Sequence, residues 1–277
     1  VVQRALQMVI EPIFERQFTP HSYGFRPGRG CKDALREVKR LLDSGYSWVL
    51  DADLKSYFDS IPHAGLMQEL NRYIADSRVL ALIEAFLKQD IMEPMRRWQP
   101  EAGTPQGAVI SPLLANLYLQ PVDEAMAEGG LAMIRYADDL VVLCRSQQQA
   151  QAALERLQGL IEERGLSLHP EKTRVVDTKA AGASFEFLGY RFAKGTRWPR
   201  HKSLKKLKES IRCQTRRTNA HSLEVIIGKL NRSLMGWFEY FKHSNKWTFA
   251  AIDGWTRRRL RSILRRRNKR KGISGGG

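Results

Sequence analysis

The uneven distribution of charge along this chain restricts its fold more than any other feature of the sequence. Residues 191–277 carry 25 Lys and Arg against 4 Asp and Glu, out of 46 and 29 in the whole chain. Residues 1–190 therefore carry 21 and 25, so a body with a net charge of −4 precedes a tail of +21. This division predicts two units with different partners. The basic tail favours nucleic acid as a partner over an anionic membrane surface.

The apolar content indicates a folded protein. Apolar residues make up 43% of the chain, which is enough for a hydrophobic core. No apolar run approaches the roughly 18 residues of a membrane-spanning helix, and the N-terminus has no signal pattern, so we expect a soluble, cytoplasmic protein without a membrane partner. The three cysteines form no closely spaced pair, which argues against a disulfide framework and against a zinc site.

The body mixes strand and helix patterns. Trp48–Asp53 has the pattern of a short buried strand, and Leu131–Tyr136 and Leu140–Cys144 have the pattern of a hairpin. Helical patterns lie between and after these strands, at residues 62–74, 77–88, 111–126 and 150–164. Because strands and helices do not alternate one by one, the sequence predicts the α+β class.

The tail has the pattern of packed helices with a basic surface. Apolar residues in Leu223–Phe241 recur at alternating spacings of four and three, which predicts a helix with one packed face. This face consists of Leu223, Ile227, Leu230, Leu234, Trp237 and Phe241. A second helix follows, with two arginine triplets displayed around it. We therefore predict two domains: residues 1–195, and an all-helical basic region over residues 196–277.

Two adjacent carboxylates, Asp138 and Asp139, lie at the tip of the predicted hairpin. Like charges this close repel each other, and a divalent cation such as Mg²⁺ relieves the repulsion by binding carboxylate oxygens. A third carboxylate on a neighbouring strand would complete a site for two ions. Asp51 and Asp53 both qualify, because alternate residues of a strand face the same side. Taken alone, an Asp-Asp pair is more often a solvated turn than a metal site.

Further motifs accompany these carboxylates. The hairpin tip reads Tyr136-Ala-Asp-Asp139, and the first predicted strand continues as Asp53-Leu-Lys-Ser-Tyr-Phe-Asp59. The other blocks are Ser22-Tyr-Gly-Phe-Arg-Pro-Gly-Arg29, Gly103-Thr-Pro-Gln-Gly-Ala-Val-Ile-Ser-Pro-Leu-Leu-Ala-Asn116, Pro170-Glu-Lys-Thr173, Phe187-Leu-Gly-Tyr190 and Leu230-Asn-Arg-Ser-Leu-Met-Gly-Trp-Phe-Glu-Tyr240. Taken in their order along the chain, these motifs resemble those of bacterial group II intron reverse transcriptases. The hairpin tip matches their YxDD box, and the segment from Asp53 resembles their first palm box.

The resemblance implies a polymerase-type palm with part of the fingers, followed by a helical thumb and maturase region. It assigns Asp53, Asp138 and Asp139 as ligands of two Mg²⁺ ions, for which Mn²⁺ can substitute. Phe58 falls where these enzymes place an aromatic gate against the ribose 2′-hydroxyl, and Gln106 falls where they place a nucleotide-contacting glutamine. The family blocks that would come first are not in this sequence, so we interpret the chain as N-terminally truncated.

The same resemblance implies contacts with nucleic acid. Arg26 and Arg29 would contact the template or its phosphates, with a structural salt bridge as the alternative for Arg26. The basic helix of the tail would bind phosphates through Arg257, Arg258, Arg259, Arg265, Arg266 and Arg267. The implied partners are an RNA template–primer duplex, structured intron RNA and dNTPs, with a DNA target as a further option. A solvated cationic face is the alternative interpretation of the tail.

The function implied by the resemblance is that of an RNA-directed DNA polymerase, acting by two-metal-ion nucleotidyl transfer, with an RNA-binding maturase role in intron splicing and mobility. Two alternatives stay open. One is a non-catalytic RNA-binding splicing cofactor that retains the carboxylates for structure, and the other is a related enzyme recruited to defence or repair. An RNA-dependent RNA polymerase is disfavoured, because an aromatic ring at Phe58 would exclude a 2′-hydroxyl.

Overall fold

The structure of the chain, a computed structural model, describes residues 1–89, 91–93, 96–98, 102–105 and 107–273. This part divides into two compact units, of which the first is Val1–Leu188 and the second begins at Gly189. Each unit has a buried apolar core of its own. The domain boundary predicted after residue 195 lies a few residues further along the chain.

The first unit combines helices with antiparallel strands, which confirms the predicted α+β class. Its helices are α1 (Val2–Glu15), α2 (Cys31–Asp43), α3 (Tyr57–Ser60), α4 (His63–Asn71), α5 (Ser77–Leu87), α6 (Ser111–Glu128) and α7 (Gln147–Glu163). Its strands are β1 (Trp48–Asp53), β2 (Ile91–Glu93), β3 (Arg96–Trp98), β4 (Ala132–Tyr136), β5 (Asp139–Cys144), β6 (Arg174–Asp177) and β7 (Phe185–Phe187). The strands predicted from the sequence correspond to β1, β4 and β5.

An antiparallel sheet with strand order β4-β5-β1-β6 forms the centre of the first unit. Leu50 and Ala52 of β1 face the main core, together with apolar residues of α6 and α7. Helix α2 packs against β4 and β5. Because side chains of a strand alternate between its two faces, Asp51 and Asp53 lie on the face opposite to the main core. The apolar side of β1 thus anchors the strand, and its other side presents carboxylates.

The second unit begins with a hairpin and continues as helices. The hairpin joins β8 (Tyr190–Ala193) to β9 (Thr196–Pro199) through Lys194 and Gly195, which both have a positive φ, as a type I′ turn requires. The helices are α8 (His201–Gln214), α9 (Leu223–Phe241) and α10 (Lys246–Ile273). The region predicted to be all-helical from residue 196 therefore starts with a strand. Its core is formed by Leu207, Ile211, Ile226, Leu230, Ile252 and Ile263.

A helix that crosses a bilayer needs about 20 mostly apolar residues in a row. Among the described residues, no helix is long and apolar enough to cross a membrane. The longest, α10, is rich in arginine. The apolar faces of the helices instead contribute side chains to the two cores.

Candidate active site

The register of the central sheet brings the predicted carboxylates together. Asp53, the last residue of β1, pairs directly with Asp139, the first residue of β5. Asp138 precedes Asp139 in the turn of the β4–β5 hairpin. Asp51 pairs with Val141 and shares the face of Asp53. Of the two candidates on β1, Asp53 is therefore the one that lies opposite the hairpin tip.

The turn that carries Asp138 is tight and strained. Tyr136 pairs with Asp139, so the loop consists of Ala137 and Asp138 alone. Ala137 has φ +59, a left-handed conformation that residues other than glycine rarely adopt and that commonly marks functional sites. A Cβ atom at Gly24 would collide with the backbone nitrogen of Ala137. The glycine of the Ser22-Tyr-Gly-Phe block is thus needed for the close approach of that segment to the turn.

Arg135 holds this turn in place through hydrogen bonds from the protein interior. It was not predicted from the sequence. Its side chain is 1% exposed and forms a buried ion pair with Asp123. One Nη donates to the carbonyl oxygen of Ala137 (3.0 Å) and to Asn116 Oδ1 (2.9 Å). The other donates to Ser22 Oγ (2.9 Å). An arginine in an otherwise apolar strand was the signal that could have revealed it, since a buried charge requires a partner.

The hairpin carboxylates have raised pKa values. Burial raises the pKa of Asp139 to about 7. The backbone N–H of Leu188 donates to its Oδ2 (3.3 Å) and lowers the pKa in part, whereas the charges of Asp51, Asp53 and Asp138 raise it further. Burial, and then repulsion from Asp53, also raise the pKa of Asp138. The neutral form of these carboxyls is favoured wherever no cation offsets their crowding.

Two cationic side chains from one segment face the carboxylates of β1. Lys172 Nζ lies 2.5 Å from Asp53 Oδ2, and this hydrogen bond raises the pKa of Lys172. The backbone N–H of His169 donates to the carbonyl oxygen of Asp53 (2.7 Å) and fixes the segment beside the strand. Burial raises the pKa of Asp51 to about 6, and Arg174, whose Nη2 lies 3.3 Å from Asp51 Oδ2, opposes that rise. The Pro170-Glu-Lys-Thr173 block therefore contributes charge to the site.

The donor chemistry of this site fits a hard divalent cation, although the side chains are not gathered around one point. In the part of the chain that the structure describes, no three Asp, Glu, His or Cys side chains converge closely enough to hold a metal ion. Carboxylate oxygens are nevertheless the ligands that Mg²⁺ prefers. Burial, together with the charges of neighbouring carboxylates, raises the pKa values of Asp138 and Asp139, and a bound cation would offset both effects. The charge of Asp53 is instead compensated by its ion pair with Lys172.

An aromatic cluster lies next to the carboxylates. Phe58, in α3, packs edge to face against Phe25 with ring centroids 6.4 Å apart, and it also contacts Tyr57. The Phe25 ring lies 6.3 Å from the ring of Tyr136. Phe25 is 51% exposed and has φ +57, which is unusual for a bulky residue. Phe58 was predicted from the sequence and Phe25 was not, because nothing in the sequence signals a positive φ at a phenylalanine.

The loop before α6 is pinned against the same cluster. The backbone N–H of Thr104 donates to the carbonyl oxygen of Phe58 (2.7 Å), and that of Gly103 donates to Ile61 (2.8 Å). Gly103 has φ +94, and a Cβ atom there would lie 2.9 Å from the carbonyl oxygen of Asp59. The predicted nucleotide-contacting residue Gln106 lies outside the described residues. Its neighbours on this loop are anchored close to Phe58.

The structure contradicts the predicted nucleic-acid contact of Arg26. Its side chain is 3% exposed, and its Nη2 pairs with Glu15 Oε1 at 2.6 Å. Its Nη1 donates to the carbonyl oxygens of Thr19 and Ser22, both at 2.7 Å. Arg26 is therefore a structural residue that ties the end of α1 to the following loop. Arg29 is partly exposed and donates to a backbone carbonyl, so its contact with nucleic acid stays a prediction.

The predicted arginines of the tail all lie on α10 and differ in exposure. The exposed members are Arg257, Arg258 and Arg265, and the partly buried members are Arg259, Arg266 and Arg267. Arg259 Nε donates to Thr215 Oγ1 (2.6 Å), and Arg267 Nη2 donates to the carbonyl oxygen of His221 (2.5 Å). These two arginines hold the loop after α8, so part of the predicted phosphate-binding set also has a structural role.

Comparison with known proteins identifies the family. A family model described as reverse transcriptase (RNA-dependent DNA polymerase) matches residues 1–192. The chain belongs to the reverse transcriptase family. Residues 204–276 of the chain match a second family model, described as the group II intron, maturase-specific domain. The resemblance to group II intron reverse transcriptases stated from the motifs is confirmed.

The chain is similar to bacterial and fungal proteins of this family. Protein YkfC of Escherichia coli is 34% identical over 230 residues, which are 69% of this chain and 60% of that protein. Group II intron-encoded protein LtrA of Lactococcus lactis is 40% identical over 124 residues, which are 45% of this chain and 20% of LtrA. The chain thus spans less than two thirds of both. Apo telomerase from Candida tropicalis, 13% identical, has a TM-score of 0.56 over 96% of this chain and 54% of its own, which indicates a shared fold.

Proposed function

We propose that this chain catalyses RNA-templated DNA synthesis at the end of the central sheet. The observation that carries the proposal is the register of β1 and β5, which sets Asp53 directly opposite Asp139 and beside the strained turn of Asp138. The family match over residues 1–192 supports the same activity. In this proposal, residues 1–195 form the polymerase domain and residues 196–277 bind RNA.

Asp53, Asp138 and Asp139 would hold two Mg²⁺ ions, with Mn²⁺ as a substitute. When bound, the ions would activate the primer 3′-hydroxyl and stabilise the charge of an in-line transition state. The chain itself orients the carboxylates: Arg135 holds the turn of Asp138 through the Ala137 carbonyl, and the sheet fixes Asp53. Lys172 pairs with Asp53 and holds its carboxylate in place in the free protein.

Phe58 would select dNTPs, with Gln106 contacting the incoming nucleotide. The edge-to-face contact with Phe25 and the hydrogen bond from Thr104 hold Phe58 in place beside the carboxylates. A fixed ring excludes a ribose 2′-hydroxyl by collision rather than by attraction. We expect Phe58→Ala to lower the ratio of dNTP to rNTP incorporation, measured by single-nucleotide extension with each substrate.

The proposed nucleic-acid partners are an RNA template–primer duplex and structured intron RNA, with a DNA target as a further option. The tail carries a charge of +21, and each phosphate contact by Lys or Arg releases bound counterions. Arg29 and the α10 arginines are the proposed phosphate contacts. The match of residues 204–276 to a maturase-specific domain supports intron RNA as the structured partner.

Two observations favour a second candidate, a splicing cofactor that binds RNA without polymerising. The described carboxylates do not converge on a metal position, and Lys172 already compensates Asp53. In such a protein, the ion pair between Lys172 and Asp53 would be permanent. A related enzyme recruited to defence or repair would instead share the catalytic site and differ in the RNA that it binds.

Primer extension on an RNA template separates these functions. The full chain should incorporate dNTPs only when Mg²⁺ or Mn²⁺ is added, and Asp138→Asn should reduce incorporation to background while RNA affinity stays within about twofold. Asp43→Asn is the matched control, since Asp43 is an exposed carboxylate that pairs with Lys39 on the surface of α2. RNA binding by the parent chain without any metal-dependent incorporation would support the cofactor and contradict the polymerase.

A further inference from the structure

A cavity of about 250 Å³ lies in the second unit, where the loop after α8 meets α10. The described residues that line it are Thr215, Arg217, Trp255, Arg258, Arg259 and Ser262. Three of these six residues are arginines, one is a tryptophan, and none is a carboxylate. A concave surface that combines unpaired cations with an aromatic wall suits an anionic ligand with a planar group.

One wall of the cavity is rigid. Arg259 Nε donates to the buried hydroxyl of Thr215 at 2.6 Å, and Nη2 donates to the Thr215 carbonyl oxygen at 3.2 Å. The Arg259 guanidinium lies 5.4 Å from the centre of the Trp255 ring. Burial lowers the pKa of Arg259, and the charges of Arg212 and Arg217 lower it further. The wall is therefore a site of crowded positive charge, which an anion would stabilise.

The remaining arginines of the cavity have donors to spare. Arg217 Nε donates to Ser262 Oγ at 2.8 Å, which orients the guanidinium and leaves its Nη groups without a partner in the described part of the chain. Arg258 is exposed and has neither a hydrogen bond nor an ion pair among the described residues. By contrast, its neighbour Arg257 pairs with Asp253 at 2.9 Å. Arg217 and Arg258 therefore have donors available for a ligand in the cavity.

We propose that this cavity binds one unpaired nucleotide of an RNA strand, with its base against the Trp255 indole and its flanking phosphates on Arg217 and Arg258. The proposal rests on the proposed RNA-binding function and specifies which form of RNA is bound. The volume is below the range of about 300–1,000 Å³ that holds drug-sized ligands, so a single base fits and a base pair does not. Stacking on an indole tolerates any base, because every base has a π-face.

Charge beyond the cavity favours a strand over a free mononucleotide. Arg261 and Arg265 are exposed further along α10, so a chain of phosphates leaving the cavity meets more positive charge. A free mononucleotide would gain nothing from these residues. An RNA strand and a free mononucleotide both offer a base with a phosphate. Competition by AMP distinguishes the two, because a site for a strand binds AMP more weakly than it binds RNA.

Equilibrium binding to two RNAs of equal length tests the site in the full chain carrying Asp138→Asn, without dNTPs. One RNA is unpaired and the other is a fully paired hairpin. Trp255→Leu should weaken binding of the unpaired RNA about tenfold, within the range of one base–aromatic stack, and of the hairpin less than twofold. Trp255→Phe should restore most of the affinity. Trp247→Leu, at a 68% exposed tryptophan of the same helix, is the matched control and should change neither affinity.

A second measurement needs no substitution and so does not depend on a variant that folds. Unpaired RNA containing 4-thiouridine, irradiated in complex with the unsubstituted chain, should crosslink to the peptide that contains Trp255. Crosslinks confined to other peptides would overturn the proposal. So would equal losses of affinity for Trp255→Leu and Trp247→Leu, or equal losses of affinity for the two RNAs. Displacement of the RNA by AMP, at AMP concentrations similar to that of the RNA, would also overturn it. Primer extension is scored separately, so failure of polymerisation with an intact Trp255 effect contradicts only the proposed catalysis.

Discussion

Arg135 shows at the scale of one residue how the turn of Asp138 depends on a buried charge. The desolvation of a guanidinium inside a protein is costly, and here Asp123, Asn116, Ser22 and the Ala137 carbonyl offset that cost. Despite burial, which opposes the charge, the carboxylate of Asp123 raises the pKa of Arg135. The residue therefore stays charged, and its hydrogen bonds determine where Ala137 lies.

Replacement of Arg135 should destabilise the first unit strongly. Arg135→Met leaves Asp123 buried without its partner, so we expect the free energy of unfolding in urea to fall by about 3–5 kcal/mol. The double variant Arg135→Met/Asp123→Leu removes both charges and should recover much of this loss. Arg36→Met, which breaks an exposed pair with Asp33, is the control and should cost less than about 1 kcal/mol. Equal losses in the single and double variants would contradict the buried-pair argument.

The raised pKa of Asp139 predicts how the stability of the metal-free protein varies with pH. Its pKa is about 7 in the folded chain against an ordinary value of 3.8, so the folded state binds more protons between these values. The free energy of unfolding should therefore rise, by on the order of 1–2 kcal/mol, as the pH falls from 7 to 5. Asp139→Asn should remove this rise, measured by urea titrations at each pH. A parent and a variant with the same pH dependence would contradict the assignment.

The residues that form recognisable motifs could be predicted from the sequence. The residues that hold those motifs in place through tertiary contacts could not. The register confirms that Asp53 pairs with Asp139, whereas the choice between Asp51 and Asp53 could not follow from spacing. The resemblance assigned Arg26 to nucleic acid, and no local pattern shows that its partner is Glu15, at the end of α1 and 11 residues earlier in the chain. Phe25 was missed because its role depends on a backbone conformation rather than on residue type.

At the scale of elements, the loop before α6 depends on the close approach of Gly103 to Asp59. A Cβ atom at Gly103 would meet three backbone atoms of Asp59 within 3.1 Å, and φ +94 is strained for any other residue. The loop carries the segment that leads to Gln106. Its position beside Phe58 thus requires glycine for two separate reasons, space and conformation.

Gly103→Ala should displace this loop and weaken nucleotide binding. We expect a loss of about 1–3 kcal/mol in stability from the strained conformation and the collision, with a raised KM for dNTPs in primer extension. Gly182→Ala is a matched control, because Gly182 has φ +80 but nothing within 4 Å of the position that an alanine methyl group would take. It shares the strain and lacks the collision. A KM that rises equally in both variants would show that contact with Asp59 is unimportant.

Elements were predicted more accurately than their packing. The pattern of Leu223–Phe241 predicted a helix, and α9 has those bounds. The predicted packed face included Ile227, which is 37% exposed, while its neighbour Ile226 is buried. A rotation of one residue position cannot be read from periodicity when both positions are isoleucine. The strand β9 was missed because the basic region from residue 196 was predicted to be all-helical.

At the scale of the whole molecule, the net charge of +17 predicts strongly salt-dependent binding to RNA. The structure divides the α10 arginines by role. Arg257, Arg258 and Arg265 are exposed, whereas Arg259 and Arg267 donate to the loop after α8. Loss of the exposed group should therefore affect binding alone, and loss of the other two should affect folding as well.

Substitution of Arg257, Arg258 and Arg265 by Gln should flatten the dependence of RNA affinity on salt. For a duplex, the slope of log K against log salt should fall by about 0.9 for each phosphate that is no longer neutralised. The unfolding midpoint should change little, because exposed charges contribute little to stability. Arg259→Gln with Arg267→Gln should lower that midpoint measurably. Filter binding across salt concentrations decides the matter, and an unchanged slope in a folded triple variant would show that these arginines are only a solvated face.

The network around Arg135 also determines when, during folding, the site can exist. Ser22 and Arg135 are 113 residues apart in the chain, and Asn116 reaches Gly24 across 92 residues. Such distant partners meet only after long loops have closed, which is slow compared with forming a helix. A nascent chain can therefore form helix α2 well before β1 gains its partner strands β5 and β6 and the turn of Asp138 is held in place. Nucleotide incorporation should accordingly appear late in refolding, after the helical signal is complete.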